Sequence, residues 1–359
     1  MLRSNVLALQ AITPTQLRAR LPELTDAEAR KIVAAVHRGE RLDERTYLAH
    51  VRRRSIDAVR EVGHVPEFEI EGERSSQLDP FVKYVVRLAD GQRVETVRIP
   101  LEKAGRFSVC VSSQVGCALG CTFCATGRMG LARNLETWEI VEQIRTVARA
   151  IPRGTRVHGV VFQGMGEPLA NLDRVLETIA VCCEPSALAI DARKITVCTA
   201  GLPSGIRRLA VEAPRVRLGL SIGSADLATR RSLMPIDRAH PLSEVIDAAV
   251  EHAERTRLAP LWAVTLLSAM NDTPAHARAL GSLASQFESR TGLRPRISVI
   301  PYNSMLADED PFERSAPERQ RAFCEALKAA GFTAHLRYSG GSDVGAACGQ
   351  LVGQLGFAV

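Results

Sequence analysis

The chain has 359 residues, nine cysteines and a net charge of +6. That length can bury one large core with smaller attachments. No stretch reaches the roughly 18 uncharged apolar residues of a membrane span, and the start carries no signal-peptide cleavage pattern. The expected address is therefore the cytoplasm, where thiols stay reduced. An odd cysteine count there argues against a disulfide scaffold and for metal binding or catalysis.

The N-terminal part reads as helical. "TPTQLRARL" and "TDAEARKIVAAVHRG" each place a capping Thr or Asp before an amphipathic pattern, and the second stops at Gly39. Residues 1–60 hold twelve Lys or Arg against seven Asp or Glu, and the remainder is nearly neutral. Residues 1–62 are thus expected to form a small basic helical domain that could dock RNA, or simply present a solvated Arg-rich face. Arg52, Arg53 and Arg54 stand between the same two readings, phosphate contact or solvated helix surface. Residues 63–105 change to β-like text, with "ADGQ" as a hairpin turn between apolar runs, and are read as a β-hairpin extension.

From residue 106 to 359, short apolar strands alternate with helices. The succession begins with "RFSVCVSS" and "TWEIVEQIRTVARA" and ends with "RISVIPY" and "PERQRAFCEALKAAG". Six β/α units imply an α/β fold with a parallel sheet, a partial (β/α)6 barrel, with chemistry at the carboxyl ends of its strands.

The densest chemical signal is "CVSSQVGCALGCTFC", residues 110–124, in which Cys117, Cys121 and Cys124 are spaced C-x3-C-x2-C after the first barrel strand. Three thiolates on one loop can hold three irons of a [4Fe-4S] cluster and leave the fourth iron open to an exchangeable ligand. Zinc normally takes a fourth protein ligand at a different spacing; zinc or buried inert thiols are the alternatives. "GMGEP", Gly164 to Pro168, ends the second strand with glycines that let backbone approach a ligand closely. Cys182, Cys183 and Cys324 lie at core positions of helices and are read as packing. His158, His240, His276 and His335 lack metal-ligand spacing and are assigned no role.

The Cys-x3-Cys-x2-Cys loop with Phe123 before its last cysteine resembles the radical S-adenosylmethionine superfamily. With "GMGEPLANLD", "LMPI", "IPYN" and "AACGQL", in that order over roughly residues 80–355, the chain more closely resembles the RlmN/Cfr family, radical enzymes that methylate adenine carbons of ribosomal RNA. The resemblance implies a [4Fe-4S] cluster and S-adenosylmethionine, two molecules per turnover, with Gly166 and Glu167 against the nucleotide. It implies that Cys348 accepts a methyl group and that a radical derived from the second molecule activates this methyl for addition to adenine C2 or C8. It further implies that Cys110 resolves the protein–RNA thioether by forming a disulfide with Cys348, and that Glu95, in "VETV", accepts a proton. Ser221 and Asn303 match nucleotide-contacting positions. Such chemistry suits adenine, whose C2 and C8 offer no electrophilic site to a nucleophilic thiol, whereas a carbon radical needs none.

Two departures from the family pattern stand out. "SIGS" replaces the usual "SLHA", so Ser221, Ile222 and Gly223 fall at the nucleotide-holding positions, with Gly223 where a histidine is usual. "CTAG" replaces "STSG", placing Cys198 at a ribose-contacting serine. The approach "GGSDVGAACGQL" is similar to the C8-methylating branch. The expected partners are RNA (23S ribosomal RNA, with transfer RNA a second target) and an electron donor such as flavodoxin, the enzyme acting as a monomer without a membrane. A diverged methylase acting on a non-RNA substrate and a non-catalytic iron-sulfur redox sensor remain as alternatives.

Overall fold

The computed structural model describes residues 6–304 and 310–352. At the start, β1 (Leu7–Ala8) precedes helices α1 (Pro14–Arg20), α2 (Asp26–His37) and α3 (Arg53–Val62), and β2 (Gly63–His64) pairs in parallel with β1. Thr13 and Thr25 each cap a helix reciprocally with Gln16 and Glu28, which satisfies donors a helix start leaves open. Gly39, at φ +83°, ends the turn after α2. Leu17, Leu24, Ile32, Val36 and Val59 form an apolar core of their own. Glu28 does double duty: it accepts hydrogen bonds from Arg52 Nε (2.7 Å) and Ser55 Oγ (2.9 Å), tying α3 to α2. Arg52 is thereby engaged, and Arg53 pairs with Asp57. Arg54 carries no ion pair among the described residues and is the member of the run left to meet solvent or phosphate.

A ten-stranded sheet follows, in the order β14-β13-β12-β11-β10-β9-β6-β5-β4-β3. Strands β3 (Glu69–Ser75), β4 (Val82–Arg87) and β5 (Arg93–Pro100) are antiparallel, and β5 joins β6 (Arg106–Val111), so the hairpin extension continues the main sheet. After β6, a small hairpin, β7 (Gln114–Cys117) and β8 (Gly130–Asn134), encloses the short helix α4 (Ala125–Arg128). Next come α5 (Thr137–Ala150), β9 (Arg156–Phe162), α6 (Leu172–Cys183), β10 (Ile195–Thr199), α7 (Pro203–Glu212), β11 (Arg217–Ser221), α8 (Leu227–Leu233) and α9 (Leu242–Thr256). The chain completes with β12 (Leu261–Leu266), α10 (Pro274–Thr291), β13 (Arg296–Pro301), α11 (Pro317–Ala329) and β14 (Ala334–Leu336). β6 and β9 to β14 run parallel, which gives the six expected β/α units and a seventh short strand. The edges β3 and β14 are not paired with each other, so the barrel is open.

The parallel strands are apolar on both faces because helices cover one and the barrel interior the other. Val109, Val160, Val197, Leu218 and Val264 are nearly inaccessible within one continuous core. Cys182 is buried there, and Cys183 and Cys324 pack against it, in keeping with a packing role. The helical part docks on α5 through Arg145, whose guanidinium donates to the Val36 carbonyl (2.9 Å). Among the described residues, no helix is long and apolar enough to cross a membrane.

Candidate active site

The carboxyl ends of the parallel strands surround a cavity whose walls include Cys117, Cys121, Cys124, Gly166, Glu167 and Ser221. Cys117 ends β7, and Cys124 precedes the first turn of α4. Between them Thr122 anchors the loop, its backbone N–H donating to the Leu233 carbonyl (3.0 Å). Burial pushes the Cys117 thiol up to about 11 and raises Cys121 and Cys124 as well, so these thiols keep their protons until a cationic centre displaces them. Among the described residues, no three His, Cys, Asp or Glu side chains converge on one point where a single ion would sit. Cys117, Cys121 and Cys124 all line the one cavity, and a set of three thiols suits a [4Fe-4S] cluster, in which each would bind a different iron.

The opposite wall fits a nucleotide ligand. Gly166 has φ +97°, and a Cβ there would lie 2.5 Å from the Gln114 side chain, so only glycine leaves the backbone at this depth. Glu167 is buried; its carboxylate accepts hydrogen bonds from the backbone N–H groups of Ala200 (2.9 Å) and Leu169 (3.0 Å). Burial raises its pKa despite those bonds. Cys198 faces the same cavity with its thiol pushed up to about 12 by burial. Gly223 also lines it, and its departure from the family histidine has a physical reason. Its φ is +66°, and a Cβ would meet the Met234 sulfur at 2.5 Å. The donor set and the glycine cradle fit a cluster with S-adenosylmethionine beside it.

A second cavity of about 770 Å³ lies on the other side of the C-terminal loop, with Cys110, Gln163, Arg337 and Cys348 in its walls. Cys348 lines both cavities. Cys110, on β6, is raised chiefly by burial and then by the neighbouring Cys348 and Cys198 sulfurs, with Arg337 acting the other way. The Cys348 loop is tied from three sides. Ala125 N–H on α4 donates to the Gly349 carbonyl (2.8 Å), and the Thr126 hydroxyl donates to the Leu351 carbonyl (2.6 Å). From the hairpin extension, Lys83 donates to the Gly345 carbonyl (3.4 Å) and Asp343 accepts from the Ser76 hydroxyl (2.7 Å). From the end of β13, Asn303 Nδ2 donates to the Cys348 carbonyl (3.3 Å) and to Ser339 Oγ (2.7 Å).

The structure thus brings together Cys117, Cys121, Cys124, Gly166, Glu167, Cys198, Ser221, Gly223 and Cys348 at one cavity, and Cys110 with Cys348 at the other. Three expected residues fall elsewhere. Ile222 is a fully buried core side chain whose backbone N–H bonds Ala263. Asn303 holds the Cys348 loop and lines neither cavity. Glu95 is fully buried, its carboxylate receiving Lys83 Nζ (3.2 Å) and the backbone N–H of Val352 (3.2 Å), and it lines neither cavity. Arg230 carried no signal in the sequence and is central here. Buried and paired with Asp237 (3.0 Å), it donates to the Ala200 carbonyl (3.0 Å) and to those of Ser221 and Ile222, clamping the ends of β10 and β11.

Residues 111–256 match the family model described as the Radical SAM superfamily. A protein of Sorangium cellulosum (strain So ce56) named a probable RNA methyltransferase is 57% identical over 349 residues, covering 92% of this chain and 88% of its own. The dual-specificity RNA methyltransferase RlmN of Syntrophobacter fumaroxidans is 42% identical, covering 76% of this chain and 77% of its own. A crystal structure of a radical SAM methyltransferase from Sphaerobacter thermophilus superimposes with a TM-score of 0.86 at 33% identity, over 97% of this chain and all of that one. An open barrel with a three-cysteine loop and this degree of likeness places the chain in the RlmN/Cfr family of radical S-adenosylmethionine methyltransferases.

Proposed function

We propose that the protein methylates an adenine carbon, C2 or C8, in RNA, with 23S ribosomal RNA as the main target and transfer RNA a second, by way of an S-methyl group on Cys348. One observation carries this reading: Cys348 belongs to the walls of both cavities, the one ringed by the three cluster cysteines and the one floored by Cys110. A thiol at that boundary can take up a group on one side and deliver it on the other. Relatives named as RNA methyltransferases supply the substrate class.

When bound by Cys117, Cys121 and Cys124, the cluster with two molecules of S-adenosylmethionine per turnover supplies the methyl group and the radical that activates it. This chain's own residues do the rest. Gly164 and Gly166 let the nucleotide lie against backbone, and Glu167 presents a carboxylate to it. Cys348 carries the carbon. Cys110, as its thiolate, attacks the Cys348 sulfur; the disulfide forms as the sulfur–carbon bond breaks, and the released methylene carbon keeps that electron pair and takes up a proton to become the methyl group. Glu95 accepts the proton lost from the adenine carbon once the Leu351–Val352 segment lifts from it. Reducing equivalents come from a donor such as flavodoxin, and the enzyme acts as a monomer.

Peptide mass spectrometry tests the reading. Protein purified from cells should carry a methyl group on the Cys348 peptide, Cys348→Ala should form no methyladenosine, and Cys110→Ala should accumulate an RNA adduct on Cys348. An unmodified Cys348 peptide in both wild type and Cys110→Ala, or an unchanged methyladenosine profile in RNA from a deletion strain, would falsify it.

A further inference from the structure

The second cavity is wider than the Cys110–Cys348 floor requires, and its mouth has a composition the reaction does not explain. Tyr338 stands there 65% exposed, yet it is not loose: its hydroxyl donates to Asp79 (2.7 Å), and the same carboxylate oxygen accepts the Gly341 N–H (2.9 Å). A large ring pinned at a rim, with solvent on its face, is a platform without a visible load. Lys103 and Arg106 line the same cavity and carry no ion pair among the described residues; Arg337 lies deeper, bonded to Gln163 (3.2 Å). His335 also lines this cavity. The carboxylates that line it are Asp79, already engaged, and Glu102. Cations with an exposed aromatic inside a concavity are what single-stranded nucleic acid binds, phosphates on the cations and a base on the ring.

We propose that Tyr338 stacks the nucleobase next to the target adenosine, with Lys103 and Arg106 on the adjoining phosphates, so that this rim fixes which nucleotide is presented to Cys348. The proposal rests on the RNA reading above. An acidic electron-donor protein would also favour a basic rim, but electrons must reach the cluster cysteines, which line the other cavity. This one ends at the methyl-carrying sulfur.

The test compares wild type, Tyr338→Ala and Tyr338→Phe on an RNA fragment that the wild type methylates, and on the same fragment made abasic at each neighbour of the target in turn. Iron content and melting temperature serve as folding controls. Stacking of one base predicts that Tyr338→Ala raises KM by roughly ten- to a hundredfold, while Tyr338→Phe, which keeps the ring and loses the bond to Asp79, stays within a few-fold of wild type. On one of the two abasic fragments, wild type should lose the same factor and Tyr338→Ala nothing more. Equal losses in the Ala and Phe variants would mean that the residue only latches the loop, and an unchanged KM in Tyr338→Ala would mean no contact; either overturns the proposal. Normal RNA binding with slowed reduction by flavodoxin, but not by dithionite, would make the rim a donor-docking surface and overturn it as well. If the wild type methylates no RNA at all, the functional reading itself fails, an outcome distinct from these because it appears without any variant.

Discussion

Arg230 shows how much of this site hangs on one buried charge. Its guanidinium reaches three strand-end carbonyls and Asp237 from a position with no solvent access. Removing Arg230 leaves those three carbonyls without this donor and Asp237 with only the more distant Arg231 (3.5 Å) and the Leu242 N–H (3.1 Å); breaking a buried pair costs about 3–5 kcal/mol. Arg230→Met should therefore lower the melting temperature sharply, and adding Asp237→Leu should recover part of the loss. If the double variant melted at the sum of the two single losses, the ion pair would not be the source of the coupling. Gly223 gives a second expectation at this scale. Restoring the family histidine with Gly223→His forces an L residue into left-handed backbone, at about 1–2 kcal/mol, and drives its Cβ into Met234. The variant should be less stable than wild type by thermal melting and bind S-adenosylmethionine no better by equilibrium dialysis. Tighter binding at unchanged stability would show that Met234 yields.

Between the hairpin extension and the C-terminal loop, hydrogen bonds span more than 250 residues of sequence: Ser76 and Gln77 to Asp343, Asp79 to Tyr338 and Gly341. The extension therefore works as a bracket for the methyl-carrying loop. Asp343→Ala deletes two of these bonds at one half-buried site, and charged hydrogen bonds contribute about 1.5–3 kcal/mol each. We expect a several-fold lower methyl occupancy of Cys348 with cluster iron unchanged; loss of both together would mean that the bracket supports the whole barrel. Long-range brackets of this kind are what the sequence could not reveal. Local signals were legible: Thr13 and Thr25 as caps, "ADGQ" as the turn between β4 and β5, six apolar strands each followed by a helix, and the three-cysteine loop. β14 was not, because Ala334–Leu336 is short and largely exposed and shows no alternation. Asn303 and Ile222 were placed against the nucleotide by motif position, but the first is claimed by the Cys348 carbonyl and the second by the core. Lys83 beneath Glu95, and Arg337 among the thiols, sit in no recognisable local pattern; only the folded sheet brings them there.

At the scale of the whole molecule, two histidines, His252 buried and His37 half-buried with both ring nitrogens shielded, couple stability to pH. His37 lies where the helical part meets α5; burial, and then the Arg145 cation, lower its pKa to about 3. His252, inside α9 with no solvent access, is lowered to about 4 by burial alone. Both are neutral when folded near neutrality and titrate near 6.5 when unfolded, so the unfolded chain takes up more protons as pH falls. The stability they contribute is complete above about pH 6.5 and is lost as pH falls towards 4 and 3. By pH 5 the loss reaches about 2 kcal/mol for each histidine. Buried carboxyls act with the opposite sign nearer their own range, since burial raises Glu142 and Glu167. The histidine part is therefore isolated by difference. Melting temperatures of wild type, His37→Asn and His252→Asn from pH 7.5 to 5 should show wild type falling fastest, each variant losing part of the slope, and the double variant nearly flat. His37→Asn should also blunt the acid-induced release of the helical part, followed by proteolysis between α3 and β3. A wild-type slope that survives both substitutions would assign the acid sensitivity instead to carboxylates whose partners hold their pKa down, such as Glu28 beside Arg52.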